Sequence, residues 1–320
     1  MEARGAKERR HDSAGALRRP GGVHVRVPAT SANLGPGFDA LGLALALYNE
    51  VEAREADGVS VEVEGEGAGR LPTTADNVVA RGVRLAYEAA GRPFKGVALR
   101  CVNRVPASRG LGSSAAAWVG GLAAGNALCG GGLSRDALVA LATRAEGHPD
   151  NVAAAVLGGL TASCVTADGA VAAVSLPVPV RLTWVVLIPE TTSSTAEARA
   201  VLPDSVPRAD AVFNVQRVAL LLAALQSGRA DALGPALDDR LHQPYRLALF
   251  PWMPPVVAAA RRAGALGCVL SGAGPALLAV IAGDGAAVAR AMEEALRTAG
   301  IAGNARAFPV DLNGVVTREA

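Results

Sequence analysis

The stretch RVPASRGLGSSAAAWVGGLAAGNAL (Arg104 to Leu128) constrains the fold most, because a glycine-rich turn leads into a long uncharged run of small residues. A turn that enters a helix in this way presents free backbone N–H groups and the positive end of the helix dipole, which favour an anion such as phosphate. Gly110 and Gly112 allow close approach of the backbone, and the hydroxyls of Ser113 and Ser114 can bind phosphate oxygens or a magnesium ion. The alternative is a tight turn whose small residues serve helix packing, and the pattern by itself leaves both open.

Three better-known loops that bind phosphate or carry a nucleophile can be tested against this stretch. A P-loop needs Gly-Lys before Ser or Thr, but the only lysines of the chain, Lys7 and Lys95, do not follow glycines. The strand lysine of protein kinases is excluded as well. The hydrolase elbow G-x-S-x-G fails because Ala116 takes the place of its last glycine. A dinucleotide fingerprint needs an acidic residue after the next strand, whereas the next acidic residue, Asp136, lies in a predicted helix.

The order of predicted strands and helices indicates an α+β protein with two domains. VHVRVPAT, GVALRCVNRVP and RLTWVVLIPE have the apolar pattern of strands, whereas ADNVVARGVRLAYEAAG and DAVFNVQRVALLLAALQSG have helical spacing. Strands and helices do not alternate strictly, which argues against a chain of βαβ units. Hydrophobic residues make up 51% of the sequence, enough for a sizeable core. We predict a disordered tail over residues 1–20, an N-terminal domain over 21–178 and a C-terminal domain over 179–320.

Charge and cysteine usage limit the partners and the compartment. The first nineteen residues carry a net charge of +3, which leaves about −1 for the rest of the chain, so a nucleic-acid-binding domain is not expected. The same residues lack the apolar segment of a signal peptide. Two uncharged runs, residues 110–134 and 264–283, are rich in Gly and Ala, which favours buried segments over membrane spans. Four cysteines scattered in apolar stretches favour buried thiols in the cytoplasm.

Three motifs in a fixed order resemble those of the GHMP small-molecule kinases. PASRGLGSSAA resembles their ATP-binding motif, VRVPATSANLGPGFDALGLAL their first motif and VLSGAGPALLAV their third, and the resemblance covers nearly all of residues 23–310. Within the superfamily, SANLGPGFDALG, EGHPDNVAAAVLGG, STAEARAVLP and QPYR are similar to homoserine kinases. The resemblance implies an N-terminal ribosomal-protein-S5-like domain that binds ATP and a C-terminal ferredoxin-like domain. It also implies a cytoplasmic homodimer that phosphorylates the side-chain hydroxyl of L-homoserine with Mg-ATP, in threonine biosynthesis.

The resemblance assigns an ATP site around the glycine-serine loop. The residues that it places against ATP are Pro106, Ala107, Ser108, Arg109, Gly110, Leu111, Gly112, Ser113, Ser114, Ala115, Ala116, Gly272 and Gly274, with Asn77 at the adenine. The glycines of the third motif would pack beside the loop and shape it, although a simple β-turn explains them equally well. Ser114 and Glu146 would hold Mg²⁺.

The substrate can also be argued from its own chemistry. Homoserine is a zwitterion, so its site should offer a cation to the carboxylate and an anion to the ammonium. The resemblance assigns the ammonium to Asp39, with Asn33 beside it, although both could be turn residues that bond their own backbone. It assigns the carboxylate to Arg199 and Arg246, whose guanidinium forks suit it better than lysine would. Because 29 of the 31 basic residues are arginine, a surface role for either remains the alternative.

The segment EGHPDN places four polar residues where one predicted helix ends and the next begins. Ordinary helix capping could account for them. The resemblance instead implies that Glu146 and Ser114 are catalytic because they bind magnesium. It also implies that His148 lines the homoserine site and that Asn151 is catalytic. An amide cannot accept the hydroxyl proton at neutral pH, so Asn151 implies direct in-line transfer without a dedicated base. Adjacent Asp150 is the rival base, and the sequence leaves it open.

Two rival functions accompany homoserine phosphorylation. One is a GHMP kinase for another small alcohol, such as mevalonate or a sugar. It is disfavoured because mevalonate has no ammonium for Asp39 and because Asn151 stands where mevalonate kinase-like members have an aspartate. The other is a catalytically silent nucleotide-binding regulator, which the intact Ser113, Ser114 and Glu146 argue against.

Overall fold

The computed structural model describes residues 21–178 and 182–320, which form two β-sheets with helices packed against them. The predicted tail, residues 1–20, lies outside the described residues, and so do residues 179–181 at the predicted domain boundary. The strands are β1 (Val23–Ala32), β2 (Leu41–Glu55), β3 (Gly58–Gly65), β4 (Gly96–Asn103), β5 (Leu160–Val165), β6 (Val171–Leu176), β7 (Thr183–Pro189), β8 (Gly267–Leu270), β9 (Leu277–Ile281), β10 (Gly303–Phe308) and β11 (Val316–Glu319).

Helices cover both sheets. The α-helices are α1 (Val78–Ala89), α2 (Ser113–Leu128), α3 (Arg135–Glu146), α4 (Asp150–Leu157), α5 (Thr195–Ala200), α6 (Arg208–Ser227), α7 (Leu233–Ala236), α8 (Gln243–Arg246), α9 (Met253–Arg262) and α10 (Ala286–Thr298). A single 3-10 turn, Ala230–Ala232, precedes α7. The first four helices pack with the first sheet, so each hydrophobic face is buried against another layer.

The first sheet has the order β11-β1-β2-β4-β3, with β5 on one end of β2 and β6 beyond it. Among the described strands, only the pair β3–β4 is parallel in this sheet, and β5 and β6 form an antiparallel hairpin. The second sheet is antiparallel with the order β10-β7-β9-β8. Its chain order is strand, helices, two strands, helix, strand, which is the ferredoxin-like arrangement. The predicted α+β class with two domains is confirmed.

Glycines let α2 pack against α1 at close range. A β-carbon added at Gly121 would lie 2.1 Å from the carbonyl oxygen of Val79, and one at Gly125 would lie 2.6 Å from that of Val83. Larger residues would push the helices apart, so the uncharged run serves core packing. Within the described residues, none of the helices combines the length and apolarity that a membrane span requires.

The first motif is a strand followed by a strained turn. β1 continues to Ala32, and the backbone becomes left-handed at Asn33 (φ 71°) and again at Asp39 (φ 55°). Asn and Asp tolerate this region better than other non-glycine residues. Pro and Gly inside the motif therefore mark a turn between β1 and β2, and the turn places these two polar side chains at the end of the sheet.

The chain returns to the first sheet at its last strand. β11 pairs antiparallel with β1, with Thr317 opposite Val25. By sequence, β11 falls within the predicted C-terminal domain of residues 179–320, but its hydrogen bonds are made to the N-terminal sheet. Pairing across almost the whole chain leaves no local signal in the sequence.

Candidate active site

Two left-handed glycines shape the loop between β4 and α2. Gly110 has φ 73° and Gly112, the N-cap of α2, has φ 67°. A β-carbon at Gly112 would lie 1.9 Å from Thr30 Oγ1, and one at Gly110 would lie 2.1 Å from the carbonyl oxygen of Ser271. No side chain caps α2, so its first backbone N–H groups stay available to an anion.

The third motif packs directly against this loop. Ser271 Oγ lies 2.7 Å from the carbonyl oxygen of Gly110, to which it donates, and 2.8 Å from Ser31 Oγ. The N–H of Ala276 donates to the carbonyl of Arg109 at 3.2 Å. The third motif therefore packs beside the loop, whereas contact of Gly272 and Gly274 with ATP stays a prediction.

Replacing Gly110 with alanine should lower the free energy of unfolding by about 3 kcal/mol, since left-handed strain adds to a clash with fixed backbone. Gly130→Ala is the matched control, because Gly130 has φ 99° but a β-carbon there would meet nothing within 4 Å. The control should cost only the strain, about 1 kcal/mol. Chemical denaturation measures both. Equal losses in the two variants would mean that the third motif does not restrain the loop.

The loop, the end of α3 and the third motif surround a cavity of about 190 Å³. Its lining residues are Ser108, Arg109, Gly110, Leu111, Gly112, Ser113, Ser114, Glu146, His148, Asn151, Ser193, Ser194, Thr195, Gly272, Ala273 and Gly274. Segments from four separate parts of the chain therefore meet at one point. Most of these residues belong to the predicted ATP and catalytic sets.

Ser114 and Glu146 both line this cavity and are in direct contact. Ser114 Oγ donates to Glu146 Oε2 at 2.7 Å. Burial raises the pKa of Glu146 and the charge of Asp150 adds to it, while the hydrogen bond from Ser114 and His148 act against the rise. Within residues 21–178 and 182–320 no three His, Cys, Asp or Glu residues cluster as a metal site. Two hard oxygen ligands fit Mg²⁺, which proteins often bind through one or two side chains plus substrate phosphates.

The raised pKa of Glu146 predicts a pH effect on stability. Above its ordinary value of about 4.5, the folded protein holds this proton more tightly than the unfolded chain does. Stability therefore falls as the pH rises through the window between the ordinary and the raised pKa. This decrease should be absent in Glu146→Gln. The free energy of unfolding of the variant, relative to that of its parent, should therefore rise across the window and stay at the higher level above it. Urea titrations in EDTA at several pH values measure the difference; a gap independent of pH would contradict the prediction.

Hydrogen bonds fix the orientation of Asn151. Thr30 Oγ1 donates to Asn151 Oδ1 at 2.7 Å, so this oxygen is already an acceptor. The N–H of Asn151 donates to Asp150 Oδ1 at 2.7 Å, and His148 Nδ1 lies 2.8 Å from the same oxygen. Asp150 is 2% exposed and does not line the cavity. Burial lowers the pKa of His148, but Asp150 and Glu146 outweigh it and raise the pKa overall.

Asp39 and Arg199, expected at opposite ends of the substrate, form an ion pair with each other. Nη1 and Nη2 of Arg199 donate to the two oxygens of Asp39 at 3.0 and 2.6 Å. The side chains are 35% and 38% exposed, respectively. Asn33 supports the pair: its Oδ1 accepts from the N–H of Asp39 at 3.0 Å and its Nδ2 donates to the carbonyl of Gly272 at 2.9 Å.

Arg246 lies behind this pair and is only 2% exposed. Its Nε donates to the carbonyl of Ala198 at 3.0 Å, and its Nη1 donates to that of Gly272 at 3.0 Å and lies 3.1 Å from Nδ1 of His242. Burial and the positive charge of Arg199 lower the pKa of Arg246 to about 10. Among the described residues, none of the hydrogen bonds of Arg246 uses Nη2.

The chain is similar to known kinases over most of its length. Residues 77–159 match the N-terminal domain of GHMP kinases and residues 221–298 the C-terminal one. The homoserine kinase of Moorella thermoacetica is 48% identical over 277 residues, 87% of this chain and 93% of that protein. The homoserine kinase of Carboxydothermus hydrogenoformans is 46% identical over 280 residues, 87% of this chain and 91% of that protein. This chain belongs to the homoserine kinase family.

A solved structure agrees with this membership. The crystal structure of homoserine kinase from Cytophaga hutchinsonii matches with a TM-score of 0.85 at 31% identity, over 95% of this chain and 99% of that chain. The resemblance to GHMP kinases that the sequence motifs indicated is therefore confirmed, as is the two-domain fold. As kinases, members of the homoserine kinase family use ATP.

Asn77, which the sequence predicts at the adenine, caps a helix in this member of the homoserine kinase family. It is the N-cap of α1: its Oδ1 accepts from the N–H of Val79 at 2.9 Å, and its Nδ2 donates to the carbonyl of Pro72 at 2.7 Å. It does not line the cavity around the loop. Contact between Asn77 and adenine stays a prediction.

Sequence reasoning missed several residues that the fold brings to the cavity. Thr30 lies inside the first motif but was given no role. Ser193, Ser194 and Thr195 line the cavity, and the N–H of Ser193 donates to the carbonyl of Ser108 at 3.0 Å. The run TTSSTAE carried a partial signal, because Ser194 followed three residues later by Glu197 is the pattern of a capping box and marks the start of a helix.

Proposed function

We propose that this protein transfers the γ-phosphoryl group of ATP to the side-chain hydroxyl of L-homoserine, giving O-phospho-L-homoserine for threonine biosynthesis. One observation carries the proposal: Gly272 joins a phosphate-type cavity to a cluster of charges that suits a zwitterion. It lines the cavity, and its carbonyl accepts hydrogen bonds from Asn33 and Arg246. A phosphate donor and an amino-acid acceptor would therefore meet at this residue.

The ATP half of the site uses backbone groups. The N-terminus of α2 and the left-handed loop before it would bind the phosphates through N–H groups and the helix dipole. Ser114 and Glu146 would hold Mg²⁺, which neutralises charge on the phosphates when bound. The oxygen pair at 2.7 Å supports this assignment.

The homoserine half uses the charged cluster. The ammonium would bind at Asp39, and the carboxylate would bind at Arg199 and at Nη2 of Arg246. The ion pair between Asp39 and Arg199 supports this assignment. A bound zwitterion would offer an ammonium to Asp39 and a carboxylate to Arg199, so neither side chain would be left with an unpaired charge. His148 lines the cavity and would contact homoserine there.

The arrangement of Asn151 and Asp150 supports transfer without a dedicated base. Asn151 Oδ1 already accepts the hydroxyl proton of Thr30, and Asp150 is buried away from the cavity. The amide of Asn151 cannot take up a proton at neutral pH, and Asp150, the rival base, does not line the cavity where the hydroxyl would attack. The chain's own residues would therefore act by holding the hydroxyl in line with the γ-phosphorus, and the proton would leave to a phosphate oxygen.

Release of ADP from purified protein tests the proposal. Coupled assays should show ADP formation with homoserine and none above background with mevalonate, galactose or no acceptor. Activity with mevalonate or galactose alone would favour the rival small-alcohol kinase. ATP binding without turnover of any acceptor would favour a silent regulator.

We also propose that the protein acts as a homodimer in the cytoplasm, with α6 in the interface. The apolar side chains of Val212, Val215 and Leu220 are 49%, 69% and 40% exposed along this helix. The four cysteines are free thiols, which suits a reducing compartment, but only Cys101 and Cys268 are buried as predicted, whereas Cys129 is half-buried and Cys164 is exposed.

Replacing Val215 with aspartate should convert the dimer to monomer without unfolding it, because the new charge would be buried only in the interface. Sedimentation velocity measures the change, and Val165→Asp, at another exposed apolar position, is the control. A monomeric parent, or a Val215→Asp variant that stays dimeric, would exclude α6 as the interface.

A further inference from the structure

A fully buried histidine lies behind Arg246. His242 has 0% exposure and directly precedes α8, so it sits one helical turn before Arg246. Its ring stacks on that of Phe38 with the centroids 5.2 Å apart. A buried imidazole needs partners for both ring nitrogens. The partners of His242 therefore report which nitrogen carries the proton.

The contacts of His242 select one neutral tautomer. Nε2 lies 2.8 Å from the carbonyl oxygen of Gly35, and a carbonyl can only accept, so Nε2 carries the hydrogen. Nδ1 lies 3.1 Å from Nη1 of Arg246, and a guanidinium can only donate, so Nδ1 carries a lone pair. Burial lowers the pKa of His242, which agrees with an uncharged ring.

We propose that His242 is a positioning residue that accepts a hydrogen bond from Nη1 of Arg246 and thereby directs Nη2 toward the carboxylate of the amino-acid substrate. The role rests on the proposed homoserine kinase activity. Three acceptors then hold the guanidinium: Ala198, Gly272 and His242. They occupy Nε and Nη1 and leave Nη2 for the ligand.

A neutral acceptor has an advantage here over a charged one. A carboxylate against Nη1 would neutralise Arg246 and weaken its attraction for the substrate carboxylate. Within the described residues, no hydrogen bond joins a carboxylate to the guanidinium of Arg246, and Asp239 lies 3.5 Å from Nε2 of His242 instead. It accepts hydrogen bonds from the backbone N–H groups of Leu241 and Gln243. Arg246 therefore keeps its charge for the ligand while its geometry is fixed.

Two variants separate the two ring nitrogens. His242→Asn places an amide oxygen near the position of Nδ1 and keeps an acceptor for Arg246. His242→Gln places an amide nitrogen near the position of Nε2 and leaves Arg246 without that acceptor. We expect His242→Gln to raise KM for homoserine about tenfold, with a smaller effect on kcat, and His242→Asn to stay within about threefold of the parent. KM for ATP should change in neither variant.

An acceptor without a carboxylate supplies a second readout. 3-Aminopropan-1-ol is homoserine without its carboxylate. His242→Gln should therefore leave KM for this acceptor equal to that of the parent protein. Equal KM values for homoserine in the two variants, or a parallel rise in KM for ATP, would overturn the proposal.

A measurement on the unmodified protein keeps the test independent of variant folding. ¹⁵N NMR of the His242 ring should show Nε2 protonated and Nδ1 unprotonated at neutral pH; the opposite tautomer or a charged ring would overturn the proposal. This measurement also separates the two hypotheses. Absence of ADP formation with homoserine refutes the proposed function alone, whereas active protein with the wrong tautomer refutes the role of His242 alone.

Discussion

Replacing Glu146 with glutamine should lower kcat by about 10²- to 10³-fold, the size of effect seen when one group that stabilises transition-state charge is lost. Glutamine keeps an oxygen for Ser114 Oγ but removes the negative charge from the pair of oxygens proposed to hold Mg²⁺. The magnesium concentration that gives half the maximal rate should rise as well. Steady-state rates at saturating homoserine over a magnesium titration measure both.

Two further variants make the result specific. Glu294→Gln removes a carboxylate that pairs with Arg297 on the exposed face of α10, and it should leave both quantities unchanged. Ser114→Ala should also lower kcat strongly, and combining it with Glu146→Gln should cost less than the product of the two effects if both residues act through one ion. An unchanged kcat in Glu146→Gln would reduce the pair to a structural contact.

The second large effect is expected at Asp39. Asp39→Asn removes the counter-charge proposed for the substrate ammonium, and a charged hydrogen bond of this kind is worth about 1.5–3 kcal/mol, or about ten- to hundredfold in kcat/KM for homoserine. KM for ATP should be unaffected. 4-Hydroxybutanoate is homoserine without its amino group, and kcat/KM for this substrate should fall less than kcat/KM for homoserine.

Asp231→Asn is the matched control for this variant, because Asp231 also forms a two-bonded ion pair with an arginine, Arg229, but on the surface. Asp231→Asn should leave kcat/KM unchanged for both substrates. If homoserine and 4-hydroxybutanoate lose equally in Asp39→Asn, the residue only holds Arg199 in place, and the zwitterion argument for the substrate fails.

Local sequence patterns predicted much of this molecule. The sequence predicted that Gly110 and Gly112 allow close approach of the backbone and that this turn enters a helix, and both features are present. Such features depend on residues close together in the chain, so their physical cause can be read from a short window. The ordered motifs then supplied the family.

Contacts between distant residues could not be predicted in this way. The bond from Thr30 to Asn151 spans 121 positions, and that from Arg199 to Asp39 spans 160. Short polar side chains have no hydrophobic period to reveal a partner. The sequence analysis also gave no role to His242, whose partner Gly35 is 207 positions away, although its other partner, Arg246, is only four positions away.

The carbonyl of Gly272 accepts from both Asn33 and Arg246 while its neighbours line the phosphate cavity. Any shift of this peptide when nucleotide binds would move both amino-acid contacts at once. The two ligands should therefore bind with a coupling free energy, and thermodynamic linkage makes that coupling reciprocal. A nonhydrolysable ATP analogue should change the dissociation constant of homoserine by the same factor by which homoserine changes that of the analogue. This cooperativity would depend on the position of a single backbone oxygen, that of Gly272.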